Sequence, residues 1–226
     1  MITLDHVFKY YNPALLILND VNLKIEAGEF VSLVGQSGAG KTTLVKILTG
    51  EERVSTGQVI VGDWDITDIS RREIPYLRRQ IGVIFQDFKL LPKKTLWENV
   101  AFALEVCGEN QDKINRVVSS VMRIVGLEDK RDRYPHEVSG GEQQRAAIAR
   151  SLVHQPKILL ADEPTGNLDS INTNEIIDLL LRINNFGTTV ILVTHNREVV
   201  NRLKKRVVTI ENGSIVSDQK QGKYII

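Results

Sequence analysis

Cysteine is almost missing from this chain: Cys107 stands alone among 226 residues. No intrachain disulfide and no cysteine-based zinc cluster can form, which fits a reducing compartment. An excess of one charge is missing too. Lys and Arg number 29 against 28 Asp and Glu, a formal net charge of +1, so the composition offers no general attraction to nucleic acid. No apolar run reaches the roughly 18–20 residues that span a bilayer. Residues 1–6 lack a basic region followed by an apolar core, so no secretory signal is expected. Low-complexity tracts, internal repeats and Pro/Gly/Ser-rich linkers are absent as well. Histidine is sparse, and His6, His136 and His154 show no metal-ligand spacing. What remains is 42% hydrophobic residues on a length that suits one large domain, or one domain carrying a smaller lobe. The expectation is a soluble cytoplasmic globular protein.

Hydrophobic periodicity divides the chain in three. Residues 21–25 alternate apolar and polar, and residues 30–34 form an almost continuous apolar run, which predicts two strands. A glycine-rich turn follows, then helical spacing over 44–48. In the middle, Ile114, Val117, Val118, Val121, Met122 and Val125 make one stripe of an amphipathic helix that Gly126 is placed to stop. Such a stripe serves a core more often than a partner groove. In the last third, residues 158–161 and 190–193 read as buried parallel strands, with a helix marked by Ile176, Leu179, Leu180 and Ile183. Residues 207–210 and 215–216 flank Asn212-Gly213, the preferred pair for a type I′ hairpin. Strands alternating with helices predict an α/β sheet covered on both faces, with the mainly helical stretch from about 87 to 155 inserted between sheet strands.

Three motifs carry chemistry. Gly35, Gln36, Ser37, Gly38, Ala39, Gly40, Lys41 and Thr42 fit the P-loop pattern between an apolar strand and a helix. Glycines let successive backbone N–H groups converge on phosphate oxygens, and the helix adds its positive end. Lys41 supplies a charge to the β- and γ-phosphates and Thr42 a hydroxyl for Mg²⁺. A P-loop alone does not separate kinases, GTPases and ATPases. The second motif does: an apolar strand ends in Asp162 and Glu163, at the strand end where open α/β sheets bind ligands. Asp162 can hold Mg²⁺, leaving Glu163 to orient or deprotonate a water. The third is Ser139, Gly140, Gly141 and Glu142 ahead of a helical run over 145–152, a second helix start suited to an anion.

Together these residues resemble the nucleotide-binding subunit of ABC ATPases over essentially the whole chain. Residues 35–43, ending in Thr43, match Walker A. Gln86 resembles the Q-loop glutamine that links Mg²⁺ and water to the helical lobe. Residues 138–142 resemble the signature, with Val138 in place of Leu and Glu142 in place of Gln. Asp162 and Glu163 match Walker B and its catalytic Glu, residues 166–169 match the D-loop ending in Asp169, and His195 the switch histidine. Asn196 follows it where Asp is more usual. Tyr11 is suitably placed to stack on adenine, with Tyr10 as its rival. The fold implied is a P-loop NTPase of ABC type. Its RecA-like mixed-sheet core, with an N-terminal antiparallel β-subdomain, spans 1–86 and 156–226, and a helical signature subdomain covers about 87–155.

Residues 139–145 and 160–169 are similar to one branch of that family, which holds lipoprotein-release, macrolide-efflux and cell-division ATPases, while residues 72–82 and 85–91 and the short tail 219–224 are most similar to the cell-division ATPases. The resemblance implies ATP and Mg²⁺ as cofactors, with Thr42, Gln86 and Asp162 on the metal. Lys41, Gln86, Glu163 and His195 would take part in hydrolysis. It also implies an ATP-dependent head-to-tail homodimer in which Ser139, Gly140, Gly141 and Glu142 of one chain meet the nucleotide on the other. The expected partner is an FtsX-type integral membrane protein, docked through Phe88, Leu90 and Leu91 unless these serve the lobe core. That places the chain on the inner face of the plasma membrane, regulating cell-wall hydrolysis in division. An exporter ATPase shares the same catalytic residues. A soluble ABC-type interaction or nucleic-acid protein fits less well, given the near-neutral charge.

Overall fold

The computed structural model describes residues 1–12, 14–222 and 224. In chain order it begins with β1 (Ile2–Asn12), β2 (Leu15–Ile25), β3 (Phe30–Val34), α1 (Lys41–Leu48), β4 (Thr56–Val61) and β5 (Trp64–Asp65). Next come α2 (Ile74–Arg79), β6 (Ile81–Phe85), α3 (Leu96–Val106), α4 (Gln111–Ile124), α5 (Gly140–Leu152) and β7 (Ile158–Asp162). The chain then forms α6 (Ser170–Asn185), β8 (Thr189–Val193), α7 (Arg197–Leu203), β9 (Arg206–Glu211) and β10 (Ser214–Gln219). Two sheets result. The first is antiparallel in the order β2-β1-β4-β5, and the second runs β10-β9-β3-β8-β7-β6 with only β10 antiparallel to its neighbour. Between β6 and β7 the regular structure is entirely helical.

The apolar runs go where their composition directs. All residues of β3 and β8 are buried, as central parallel strands covered on both faces must be. Strand alternation splits the core in two. Leu159, Ala161, Val190 and Leu192 pack with Leu96 and Val100 of α3, Ile114 and Val118 of α4 and Ile148 of α5. Leu160, Ile191 and Val193 face the other way, onto Leu44 and Ile47 of α1 and the antiparallel sheet. The α4 stripe is core: Ile114, Val118, Val121 and Met122 are buried, and Gly126 takes φ +69° just beyond the helix. Asn212 and Gly213 turn the β9–β10 hairpin with φ 47° and 80°, as a type I′ turn requires. A Cβ on Gly213 would lie 2.4 Å from the Ile17 carbonyl oxygen, and Asn19 N–H donates to the Gly213 carbonyl at 2.9 Å. That turn joins the two sheets.

Two expectations need correction. The strand over 21–25 begins at Leu15, because paired irregularities at His6 (φ 48°) and Asp20 (φ 51°) interrupt the alternation without ending the ladder. Nor does the helix over 145–152 follow the two glycines; it starts at Gly140. Ser139 Oγ accepts from Glu142 N–H at 3.3 Å while Ser139 N–H donates to Glu142 Oε2 at 2.8 Å. This capping box outweighs the low helix propensity of two glycines. Among the described residues no helix is long and apolar enough to cross a membrane.

Candidate active site at the carboxyl ends of the parallel strands

Register sets the site. Phe85, Asp162, Val193 and Leu33 stand side by side across β6, β7, β8 and β3. The residues that follow them, including Gln86, Glu163 and His195, therefore leave the sheet at one level, next to the loop that begins at Gly35. There they line a cavity of about 660 Å³ with Ile17, Gln36, Ser37, Gly38, Gly40, Lys41, Thr42, Thr43 and Asp162. A larger cavity of about 710 Å³ lies at the opposite strand ends around Lys157 and Thr189, and none of the site residues lines it.

The loop requires its glycines. Gly35 has φ +152°, and a Cβ there would lie 2.2 Å from the Ile210 carbonyl oxygen. Gly40 has φ +102°, with Leu18 Cδ2 2.8 Å from where a Cβ would sit. Gly40 also opens α1 without a side-chain cap, and no acid occupies the first turn. The positive end of α1 is thus offered to the cavity. Lys41 Nζ donates to the carbonyls of Gly35 at 2.7 Å and Gln36 at 2.9 Å. Burial pulls its pKa below the usual lysine value, while the nearby Glu163 and Asp162 charges oppose that shift.

Asp162 lines the same cavity. Burial raises its pKa, the Glu163 charge raises it further, and Lys41 and Lys89 hold it down. A hydroxyl at Thr42, a carboxylate at Asp162 and an amide at Gln86 are hard oxygen donors facing one cavity, a set that suits Mg²⁺. Glu163 adopts φ 48°, and its carboxylate receives three donors: His195 Nδ1 at 2.6 Å, His195 N–H at 3.1 Å and Thr194 Oγ1 at 3.2 Å. Its side chain is 18% exposed while that of His195 is 70% exposed, so the histidine forms the outer wall. Gln86 is tied both ways to Asn167: Gln86 Nε2 donates to Asn167 Oδ1 at 3.3 Å and Asn167 Nδ2 to the Gln86 carbonyl at 3.1 Å. Gly166 permits this closeness, since a Cβ would meet Gln86 Nε2 at 2.8 Å.

Other residues singled out from the sequence stand outside the cavity. Ser139 and Glu142 close the capping box of α5, and Glu142 is also paired with Lys130, the largest cause of its lowered pKa. Gly141 is packed against Asn172, whose Oδ1 would sit 1.9 Å from a Cβ. Asp169 caps α6 by accepting from Asn172 N–H at 2.8 Å and Asn172 Nδ2 at 2.7 Å. Gly35, Ala39 and the exposed Tyr10 and Tyr11 do not line the cavity, although Ile17 does; Lys9 Nζ lies 5.2 Å above the Tyr11 ring. Leu90 packs on the helical core, while Phe88 is half-buried beside Gly140. Asn196 caps α7 through Oδ1, accepting from Glu198 and Val199 N–H at 3.0 and 3.2 Å, so the amide does here what an Asp would do. Sequence reasoning gave no role to Ile17, Thr194, Gln144 or Arg150. For the last two the available signal was large polar residues on either side of the Ala- and Ile-rich stretch 146–149 of α5, Gln144 and Arg145 before it and Arg150 after it.

Comparison with known proteins identifies the family. Residues 18–166 match the family described as ABC transporter. The chain is 50% identical over 224 residues to the cell division ATP-binding protein FtsE of Bacillus subtilis, covering 99% of this chain and 98% of that one. It is 51% identical over 225 residues to FtsE of Mycobacterium tuberculosis, with 99% and 98% covered. A dimeric post-hydrolysis structure of the ATP-binding cassette MJ0796, bound to ADP and Pi, superposes with a TM-score of 0.87 at 33% identity, covering 99% of this chain and all of the other. The chain belongs to the ABC ATPase family and is similar, over nearly its full length, to the cell division ATP-binding proteins FtsE.

Proposed function

We propose that this chain hydrolyses ATP as the nucleotide-binding subunit of an FtsEX-type cell-division complex, closing as a homodimer and passing that closure to an FtsX-type membrane protein. One observation carries the reading. Lys41, Thr42, Gln86, Asp162, Glu163 and His195 share one cavity, while Ser139 to Gly141 stand outside it at the start of α5. A second copy, arranged head to tail, supplies what one chain lacks.

Backbone N–H groups of the loop, the open end of α1 and Lys41 bind the phosphates. Thr42, Asp162 and Gln86 would hold Mg²⁺, which neutralises charge on the β- and γ-phosphate oxygens. Asp162 is desolvated beside Glu163, so its charged form is costly unless a cation joins it. Glu163 orients the attacking water and takes its proton as the water oxygen bonds to the γ-phosphorus and the bond to the ADP oxygen breaks. His195 holds Glu163 in place and presents its exposed ring to the γ-phosphate. Tyr11 stacks on the adenine. Across the dimer, Ser139, Gly140, Gly141 and Glu142 present the α5 end to that phosphate, with Asp169 nearby. Closure then depends on one anion neutralising two positive helix ends, and hydrolysis removes it.

The stretch from about 87 to 155 acts as the helical subdomain, and Phe88, Leu90 and Leu91 take the membrane partner, holding the chain on the inner face of the membrane. Capture from detergent-solubilised native membranes with Glu163→Gln and ATP tests this. Recovery of a protein with few spans and one extracytoplasmic domain supports the division reading. A many-span permease or an efflux assembly replaces it with export, and no membrane partner overturns both.

A further inference from the structure

Helix α5 sends two polar side chains onto the segment around Gln86. Gln144 has no exposed surface, donates from Nε2 to the Pro164 carbonyl at 2.7 Å and reaches the Phe85 carbonyl at 3.5 Å. Its Oε1 has no partner among the described residues. Arg150 donates from Nη2 to the Phe88 carbonyl at 3.0 Å and from Nη1 to the Lys89 carbonyl at 2.7 Å. One helix therefore holds the turn after Gln86 through Arg150 and, through Gln144, lies against the Phe85 carbonyl before it.

At the two residues that Arg150 holds, the backbone is strained. Phe88 and Lys89 have φ of 55° and 50°, two successive non-glycine residues in the left-handed region that side chains disfavour. Such a pair persists only where its surroundings over-determine it. A guanidinium has fixed, coplanar donors that can hold two adjacent carbonyls at once, which a single ammonium does less well. Lys89 Nζ, 3.8 Å from the Phe85 ring centroid, folds its own side chain back over the same turn. No carboxylate pairs with Arg150 among the described residues, so its hydrogen bonding is directed to these carbonyls.

We propose that Arg150, with Gln144, is a positioning residue for hydrolysis. It holds Phe88 and Lys89 left-handed so that Gln86 stays aimed at the phosphate cavity. This rests on the ATPase reading above and adds a route through the protein to it. Because α5 begins at Gly140, capped by Ser139, a tilt of the helix when its start engages nucleotide is felt at both flanks of Gln86. Nucleotide binding, carried by residues 35–43, does not depend on the grip.

The test compares Arg150→Met, Arg150→Lys and Arg150→Met/Lys89→Gly with the natural chain, by ATPase kinetics and by hydrogen exchange without nucleotide. Arg150→Met is expected to lower kcat about tenfold, the scale of the population penalty for an unsupported left-handed residue, with KM for ATP within twofold. Arg150→Lys falls between. Glycine adopts positive φ freely, so adding Lys89→Gly should recover at least threefold of the lost kcat. A residue that only stabilised the fold would not be rescued in this way. Exchange at amides 87–91 should rise in Arg150→Met while β6 and β7 stay protected. If Arg150→Met does not fold, Arg150→Lys with and without Lys89→Gly carries the same comparison. Unchanged kcat and exchange, or a loss of ATP binding with no recovery from Lys89→Gly, would overturn the proposal. A natural chain without turnover would overturn the ATPase reading, and the exchange data would still decide whether Arg150 holds the turn.

Discussion

Glu163→Gln separates chemistry from structure at this site. Glu163 Oε1 accepts from His195 Nδ1 at 2.6 Å and from His195 N–H at 3.1 Å, and an amide oxygen can keep both bonds. The new amide nitrogen would then meet Thr194 Oγ1, which lies 3.2 Å from Oε2 and can rotate to accept. No buried group is orphaned, so stability should change by less than about 1 kcal/mol. Binding should persist, because residues 36–43 are untouched and one negative charge near Lys41 is removed. What disappears is the base. General-base catalysis contributes about 10²–10⁴-fold, or about 2.7–5.5 kcal/mol of barrier. Single-turnover phosphate release measured beside fluorescent-nucleotide binding reads the two quantities separately. Hydrolysis within tenfold of the natural chain, at equal ATP occupancy, would remove Glu163 from the catalytic role.

Three further outcomes follow from the geometry. Gly35→Ala places a Cβ 2.2 Å from a backbone oxygen of β9, so nucleotide binding and cooperative unfolding should both be lost or severely weakened; binding calorimetry and thermal melts check this. Asp162→Asn should stabilise the nucleotide-free protein while abolishing hydrolysis. The raised folded-state pKa of Asp162 means that stability falls as pH rises from about 4 through that value. The melting advantage of the variant should therefore be full above that window and vanish below it; an equal advantage at every pH would contradict the assignment. Ser139→Ala removes the oxygen that accepts from Glu142 N–H and should cost about 1 kcal/mol, or about 2–4 °C in Tm, with ATP binding by the monomer unchanged.

Legibility followed local determination. The strands over 30–34 and 158–161, the α4 stripe and the Asn212-Gly213 hairpin were readable because burial or turn chemistry dictates them residue by residue. The early part of β2 was not. At Asp20 the bulge puts two exposed residues in succession, and His6 Nδ1 to Asp20 Oδ1 at 2.7 Å replaces packing as the reason for the geometry. Lys9 defeats pattern reading for a similar reason. It is 9% exposed within β1 because Nζ meets Glu52 at 2.9 Å and the Arg53 carbonyl at 2.7 Å, partners far along the chain. At the site, residues whose roles belong to their type and motif, such as Lys41, Asp162 and Glu163, were visible. Thr194 and Arg150 were not, because they act by reaching a neighbour that only the fold supplies. The start of α5 shows the same limit: Ser139-x-x-Glu142 is a capping box, yet the helical run was legible only over 145–152.

The central claim is that one chain holds an incomplete site which a second copy completes. Analytical ultracentrifugation of Glu163→Gln tests it most directly, with Mg-ATP, with Mg-ADP, and with Ser139→Arg added. The account predicts a dimer with ATP, a monomer with ADP, and a monomer that still binds ATP once Ser139→Arg is present. An ATP-saturated Glu163→Gln chain that stays monomeric at high concentration, or a dimer indifferent to Ser139→Arg, would contradict it.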